Sequence, residues 1–550
     1  MRLLTFPGIL FCLLLILTQK SEPSSNTSSY LQQLQKRKAS TISCAPDWKT
    51  FLVSSEAINS FGPLPGTGKH QWKISTTSDS AQFYFNQGMN LYYGFHIIEA
   101  IPSFKKAQLF DSTNAMLYWG EALAYGPNIN DISYETAASG YDALAFAKKY
   151  SITASVKEQA LMKAMEGRYS KDTSQKQVVR NTIYADNMKS LFKQYKNDPE
   201  IGALFADALM QLHPWDLWEH NGKPKPWTPE IIQVLEKTLQ SDQDHPGANH
   251  YYIHVIEGSP YPSKANRSAD QLGTITPGLA HMVHMPSHIY IRTGQYAKGA
   301  LVNTTAIKQY EQYRGLMPNV ANGFFLYEVH NRHMEANCSM QGNEYKKASE
   351  DALACRNSID TGFLSMAPPF GAYLQYIYTM PELTRIHFQK WDEILYQPDT
   401  EERLVYAALL QHFAKGMAYA NKGNNGAAKE RLAEVDKLIT NEVLTIPVVP
   451  FSPPKTAATV ARNLLAGMIA ERVGKFSLAI NYYKAAVKYE DEMVYNEPED
   501  WLLSARPFLG NALLKNKQFE EAQRVFREDL KDHPNNLESL KGLVAAKKVR

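Results

Sequence analysis

The sequence predicts an all-α fold, an α-solenoid of helical hairpins curved around a concave groove. Three observations carry it. From Ser78 onward, apolar positions recur at spacings of three and four, and strand-like alternation is almost absent. A small residue is followed at a fixed distance by a small–aromatic pair in several places along the chain. Turns rich in Gly, Asn and Pro separate the periodic segments.

The repeat is plainest in "AQFYFNQGMNLYYGFHIIEAIPSFKKAQLFD", where Gly88, Ala100, Phe104 and Ala107 stand at spacings of twelve, four and three. Gly467, Ala479, Tyr483 and Ala486 repeat it, and so do Gly510, Ala522 and Phe526, with Pro534 beyond. Where two helices cross closely only Gly or Ala lets the backbones approach, and an aromatic ring fills the notch beside them. This spacing resembles the tetratricopeptide repeat (TPR), a two-helix unit of about 34 residues. Degenerate copies carry the small residue of the second helix at Ala265, at Gly299 with Ala306, at Ala348, and at Ala428 after Gly416. Pro- and Gly-bearing linkers at 365–373 and 445–455 interrupt the array, which is read as eight to ten hairpins.

Composition bounds the function. With 550 residues, 44% of them hydrophobic and 21% charged, the chain can bury a large core. A net charge of +3 over that length supplies no basic face, so nucleic acid is dropped as a partner. Residues 1–20 place an apolar run, Leu3 to Leu17, after Arg2, the form of a signal peptide or, if uncleaved, an N-terminal anchor. Residues 21–75 read as a linker and irregular entry segment, 76–360 as an N-terminal and central array, and 361–550 as a C-terminal array. A secreted or periplasmic protein is expected, tethered to a membrane only through an uncleaved N-terminal segment.

Histidines supply the chemical signal. A uniform scatter of the chain's 15 histidines puts about two in the stretch 250–333, where seven stand. Measured back from Ala265, His250 lies 15 residues upstream, His254 lies 11 and Glu257 lies 8. From Gly299 the offsets are 18, 15 and 11 for His281, His284 and His288, and from Ala348 they are 18 and 15 for His330 and His333. Steps of three and four make one helical stripe, and the three stripes share a phase. The TPR resemblance implies that this phase faces the groove, so seven histidines and Glu257 are expected on one patch of it.

Neutral imidazoles at i, i+4 reach a common cation, and a carboxylate one turn on can join them. His250, His254, Glu257, His281, His284, His288, His330 and His333 are therefore the candidate ligands of one or two transition-metal ions. Imidazole with carboxylate fits Zn, Cu or Fe and disfavours Mg or Ca. Arg292, Tyr290 and Asn249 are the expected ligand-orienting or substrate-binding neighbours, and His245, before Pro246, reads as a helix cap. The competing reading makes the histidines polar contacts for a bound peptide, or ties between successive helices.

Other features stay secondary. Cys338 and Cys355 can bridge in an oxidising compartment, though two buried thiols is the preferred reading. Asn26, Asn266, Asn303 and Asn337 head glycosylation sequons, which matter only if the source glycosylates. Trp119, Trp215, Trp218 and His213 are read as core or as pocket lining. "PGTGKH" lacks the first glycine and the Ser/Thr of a phosphate loop, and neither HExxH nor G-x-S-x-G occurs.

The blocks "HPGANHYYIH", "LAHMVHMPSHIYIRTGQY", "YWGEALAYGPNIN" and "HPWDLW" narrow the resemblance. They are similar to those of a group of large, mostly uncharacterised bacterial TPR proteins, from about residue 70 to the end. That resemblance implies no activity. The group reads Phe-Asn-His in the first repeat where this chain reads Phe95-His96-Ile97, which leaves His96 as a shifted substitute at most. Two functions survive: an extracytoplasmic metalloprotein holding a small molecule or peptide in its groove, with catalysis left open, and a metal-free scaffold for a protein or peptide partner.

Overall fold

In the computed structural model, helix pairs build from close backbone approach. The structure describes residues 55–547 except 131–133, 135–137, 172–173 and 317–323. The expected signal segment, Cys12, Asn26, Cys44 and most of the linker lie outside the described residues. Among those described there is no strand, and the sole bridge pairs Trp218 with Pro224.

The first hairpin, Asp79–Tyr93 and Ile97–Phe110, shows why the spacing works. A Cβ on Gly88 would lie 2.7 Å from the Phe104 ring, and one on Gly467 would lie 2.5 Å from Tyr483. Phe526 fills the same notch against Gly510. Ser78 starts the first helix by accepting the Ala81 N–H. The small residues that mark each second helix, Ala100, Ala265, Ala348, Ala428, Ala479 and Ala522, are all fully buried. The hairpins are TPR-like and the chain is an α-solenoid.

The described residues form one compact unit, and the last repeat returns to the middle of the chain. Tyr296 donates its hydroxyl to the Pro534 carbonyl, and the Asn535 amide donates to the Gly294 carbonyl at 3.3 Å. Gln341 reaches Leu502 O at 3.3 Å. The arrays expected on either side of residue 360 therefore pack together. No helix among the described residues is long and apolar enough to cross a membrane.

Cys338 and Cys355 are free, buried thiols whose pKa values burial pushes up. Asn303 and Asn337 are buried too, so neither sequon is open to a glycan in the folded chain.

The notch at Gly88 predicts that Gly88→Val lowers stability by about 1–3 kcal/mol through overpacking against Phe104, read as a lower urea midpoint. An unchanged midpoint would show that the helix pair is looser than described.

Candidate metal centre

Four helical segments bring the histidines together. Pro246–Ile256 carries His250 and His254, one turn apart. Ala280–His284 and Pro286–Arg292 carry His281, His284 and His288. Pro286 has no N–H to continue the ladder, yet Met285 stays helical (φ −49°, ψ −37°), so the three rings keep one stripe across the break. Phe324–Gln341 carries His330 and His333.

Six of the rings converge as two trios. In the first, His250 Nε2 lies 3.1 Å from both His254 Nε2 and His281 Nε2. In the second, His284 Nε2 lies 2.8 Å from His288 Nε2 and 3.0 Å from His330 Nε2. The helix Ala280–His284 serves both, with His281 in one trio and His284 in the other.

The opposite ring nitrogens decide what these short separations mean. His250 Nδ1–H donates to the Tyr93 carbonyl at 2.6 Å. A carbonyl only accepts, so the proton sits on Nδ1 and Nε2 of the neutral ring is a bare lone pair. His284 Nδ1–H donates to Asn303 Oδ1 at 2.6 Å, and the Asn303 amide is oriented by donating to Gly299 O at 2.8 Å. Glu257 takes the other two: His254 Nδ1 lies 3.1 Å from Oε1, and His288 Nδ1 lies 2.5 Å from Oε2. Lone pairs facing each other at about 3 Å repel unless a cation or a proton stands between them.

Electrostatics agree. Burial, then the neighbouring imidazoles, push His250, His281 and His284 well below the usual histidine range and His330 to about 3. Burial works to raise the Glu257 carboxyl, but His288 and His254 outweigh it and hold it at about 2. Against its own burial, His288 is raised by the Glu257 carboxylate. Without metal, an Nε2 proton on His288 can be shared with His284, and a metal ion arriving there displaces it.

Aromatic residues set the first trio from behind. Phe95 lies 4.4 Å from the His250 ring, 5.9 Å from His254 and 5.5 Å from His281, centroid to centroid. Trp215 meets His254 edge-on at 5.2 Å. Both aromatics hold left-handed backbone, φ 57° and 61°, a conformation costing about 1–2 kcal/mol for a residue with a Cβ and found disproportionately at functional sites.

A cavity of about 110 Å³ touches His254 and His281 of one trio and His288 and His330 of the other. Trp215, Tyr327 and Phe451 supply much of its wall, and Asn130, Asn496 and Glu497 its polar part. Burial raises the Glu497 carboxyl to about 8, so it is an uncharged acid at neutral pH. The part of the groove that these histidines line is this cavity. Val448, Val449 and Phe451, from the linker 445–455, close over the site, and no ring of the two trios is widely exposed.

Several expected ligands and neighbours stand elsewhere. Glu257 stands outside both trios, its two oxygens facing the Nδ1 atoms of His254 and His288. His333 is buried with neither ring nitrogen bonded, outside both trios. Tyr290 donates to Asp270 at 2.8 Å, away from the histidines, and the Asn249 amide ties Gln243 O and His245 O at the helix start. Arg292 lies beside Glu499 and Asp532, whose carboxylates face its charge. His96 belongs to neither trio; burial lowers it to about 4. Trp119 is core, Trp218 donates to Val255 O at 2.7 Å, and His213 stacks on Trp227.

His245 caps its helix as expected, its Nδ1 accepting the Ala248 N–H at 3.1 Å. It also belongs to a cluster that sequence reasoning missed. Glu200 accepts from His70 Nε2 and from the Tyr93 hydroxyl, each at 2.5 Å, and faces His245 Nε2 at 3.4 Å. Its oxygens are engaged by donors, which makes this group a hydrogen-bond knot that pins Tyr93, and with it the carbonyl holding His250.

Neither a protein-family model nor a curated protein sequence matches the chain. Among solved structures it is similar to human IFIT1 as a dimer with m7Gppp-AAAA, at 13% identity over 86% of this chain and 91% of that one, TM-score 0.30. Yeast Tom70 shares 11% identity over 86% and 90%, TM-score 0.29. The TPR domain of P58(IPK) shares 12% over 85% and 98%, TM-score 0.19. At such scores the likeness carries no argument, and the fold stands on the helix pairs described above.

His333 provides a pH test separate from ligation. Burial lowers it from 6.5 to about 3, so between those values the unfolded chain takes up a proton that the folded chain refuses. Stability from this group is therefore present above pH 6.5 and lost as pH falls, by about 2 kcal/mol at pH 5. His333→Leu should reduce the loss in unfolding free energy between pH 7.5 and pH 5 by that amount, measured by urea titration. An identical pH slope in the variant would contradict the assignment.

Proposed function

We propose that this protein is a metalloprotein that holds transition-metal ions in two adjacent trihistidine sites beside a small cavity. The observation that carries it is the aim of the Nε2 lone pairs. Three of the six rings have hydrogen-bond acceptors at Nδ1 and His288 Nδ1 faces the Glu257 carboxylate, while the Nε2 atoms meet in trios about 3 Å apart. Three imidazoles around one ion, with a position left for water or substrate, is the ligand set of a reactive centre; a closed structural site uses four. Zn, Cu and Fe are the metals such donors suit.

Each part of the surroundings then has a task. Tyr93 O, Asn303 and Glu257 fix tautomer and ring orientation, and losing partners of this kind commonly costs 10–100-fold in metal affinity. Phe95 and Trp215 wall the first trio and exclude water. Asn130, Asn496 and the uncharged Glu497 offer hydrogen bonds to a small molecule in the cavity. Catalysis on that molecule, an extracytoplasmic location and kinship with the bacterial TPR group sharing the "HPGANH" and "HMPSHIYIR" blocks belong to the same reading. The alternative is a metal-free scaffold whose groove grips a protein or peptide, with the histidines as polar contacts.

The test is metal content. Wild-type protein prepared without a chelating tag should carry metal in both trios. Its melting temperature should rise when metal is returned to the chelated form, as binding to the native state alone requires. His254→Ala combined with His284→Ala should lose that metal and the thermal shift while keeping the helical circular dichroism. Full stoichiometric metal in the double variant would refute the assignment.

A further inference from the structure

The two trios are close enough to be one centre. Rings of different trios lie 5.9 Å (His281 and His284) and 6.0 Å (His254 and His288) apart, centroid to centroid. Rings within a trio reach 6.2 Å (His254 and His281) and 5.8 Å (His288 and His330). The gap between trios is no wider than the span inside one, and the same cavity touches both. Paired ions in two-metal sites stand about 3.5–4 Å apart and act on one bound molecule.

Charge then restricts the metal. All six donors are uncharged imidazoles, and the carboxylates beside them are Glu257, bound to two Nδ1 atoms, and Glu497 on the cavity wall. Two divalent ions would bring four positive charges against at most two negative ones in a buried site, where uncompensated charge is costly. Two monovalent ions bring two. Among the metals that imidazole suits, copper has a stable monovalent state, and three imidazoles satisfy it.

Resting on the reading of the trios as metal sites, we propose that they hold two copper(I) ions and that the pair binds one dioxygen molecule between them. Each copper gives one electron, the two electrons reduce dioxygen to the peroxide level, and two copper–oxygen contacts form while the O–O single bond remains. No proton and no further reductant is needed, and the reverse transfer releases dioxygen. Two copper(II) ions with a bridging dianion carry the same net charge as two copper(I) ions, so the buried site sees no change in total charge. The apolar wall of Trp215, Tyr327, Val448, Val449 and Phe451 suits a small apolar gas.

The experiment uses the full chain, freed of metal and titrated under argon with copper(I), then exposed to dioxygen. Two coppers per chain are expected, with uptake of one dioxygen per copper pair and an intense near-ultraviolet charge-transfer band. The oxygenated form should give no copper(II) resonance, because the paired spins cancel. His250→Ala and, on the other trio, His330→Ala should each bind one copper fewer and lose at least nine-tenths of the uptake and the band, with circular dichroism unchanged. Two bound coppers without uptake, or with the resonance of isolated copper(II), would overturn this proposal and leave the trios as metal sites. Failure to bind either copper(I) or zinc would overturn both.

Discussion

Everything in the centre depends on where four protons sit. The Tyr93 carbonyl, the Asn303 amide oxygen and Glu257 Oε1 accept from His250, His284 and His254, and Glu257 Oε2 stands 2.5 Å from His288 Nδ1 as an ion-pair partner, so the imidazole protons are held on the outer nitrogens. The inner nitrogens are left as lone pairs pointing at one another. A protein without a cation to place there would gain by rotating these rings or by alternating donors and acceptors around them. Here the rings are locked from outside: Tyr93 by the Glu200 knot, Asn303 by Gly299, and Phe95 and Trp215 by contact with the first trio.

The solenoid supplies what a single hairpin cannot. Each helix offers at most three histidines at spacings of three and four, and neighbouring first helices stack in phase. His281 and His284, three residues apart, therefore fall to different trios and tie the two positions into one. Return of the last repeat to Gly294 and Tyr296 then packs the C-terminal array against the histidine-bearing helices. The segments around Phe451 and Asn496 cover what would otherwise be open groove.

Much of this was legible in the sequence. The twelve-plus-four spacing located Gly88 against Phe104, Gly467 against Tyr483 and Gly510 against Phe526, because backbone approach at a helix crossing leaves no other choice of residue. The offsets from Ala265, Gly299 and Ala348 located the six converging histidines for the same reason. Spacing could not assign roles. Glu257 stands three residues from His254, where a ligand would stand, and only the rotation of the ring shows that it faces Nδ1. His333 lies on the stripe of His330, but its ring packs toward Tyr376. A backbone carbonyl 157 positions from His250, a sequon asparagine turned inward, and a Pro-rich linker folded over the cavity have no signature in composition or period. They are set by tertiary packing.

Anomalous diffraction from crystals of the metal-loaded protein, collected on either side of the metal's absorption edge, tests the central claim most directly. Two peaks are expected, one about 2.0–2.1 Å from the Nε2 atoms of His250, His254 and His281 and the other at that distance from those of His284, His288 and His330. Density at neither place, or a single peak among His70, Glu200 and His245, would contradict it.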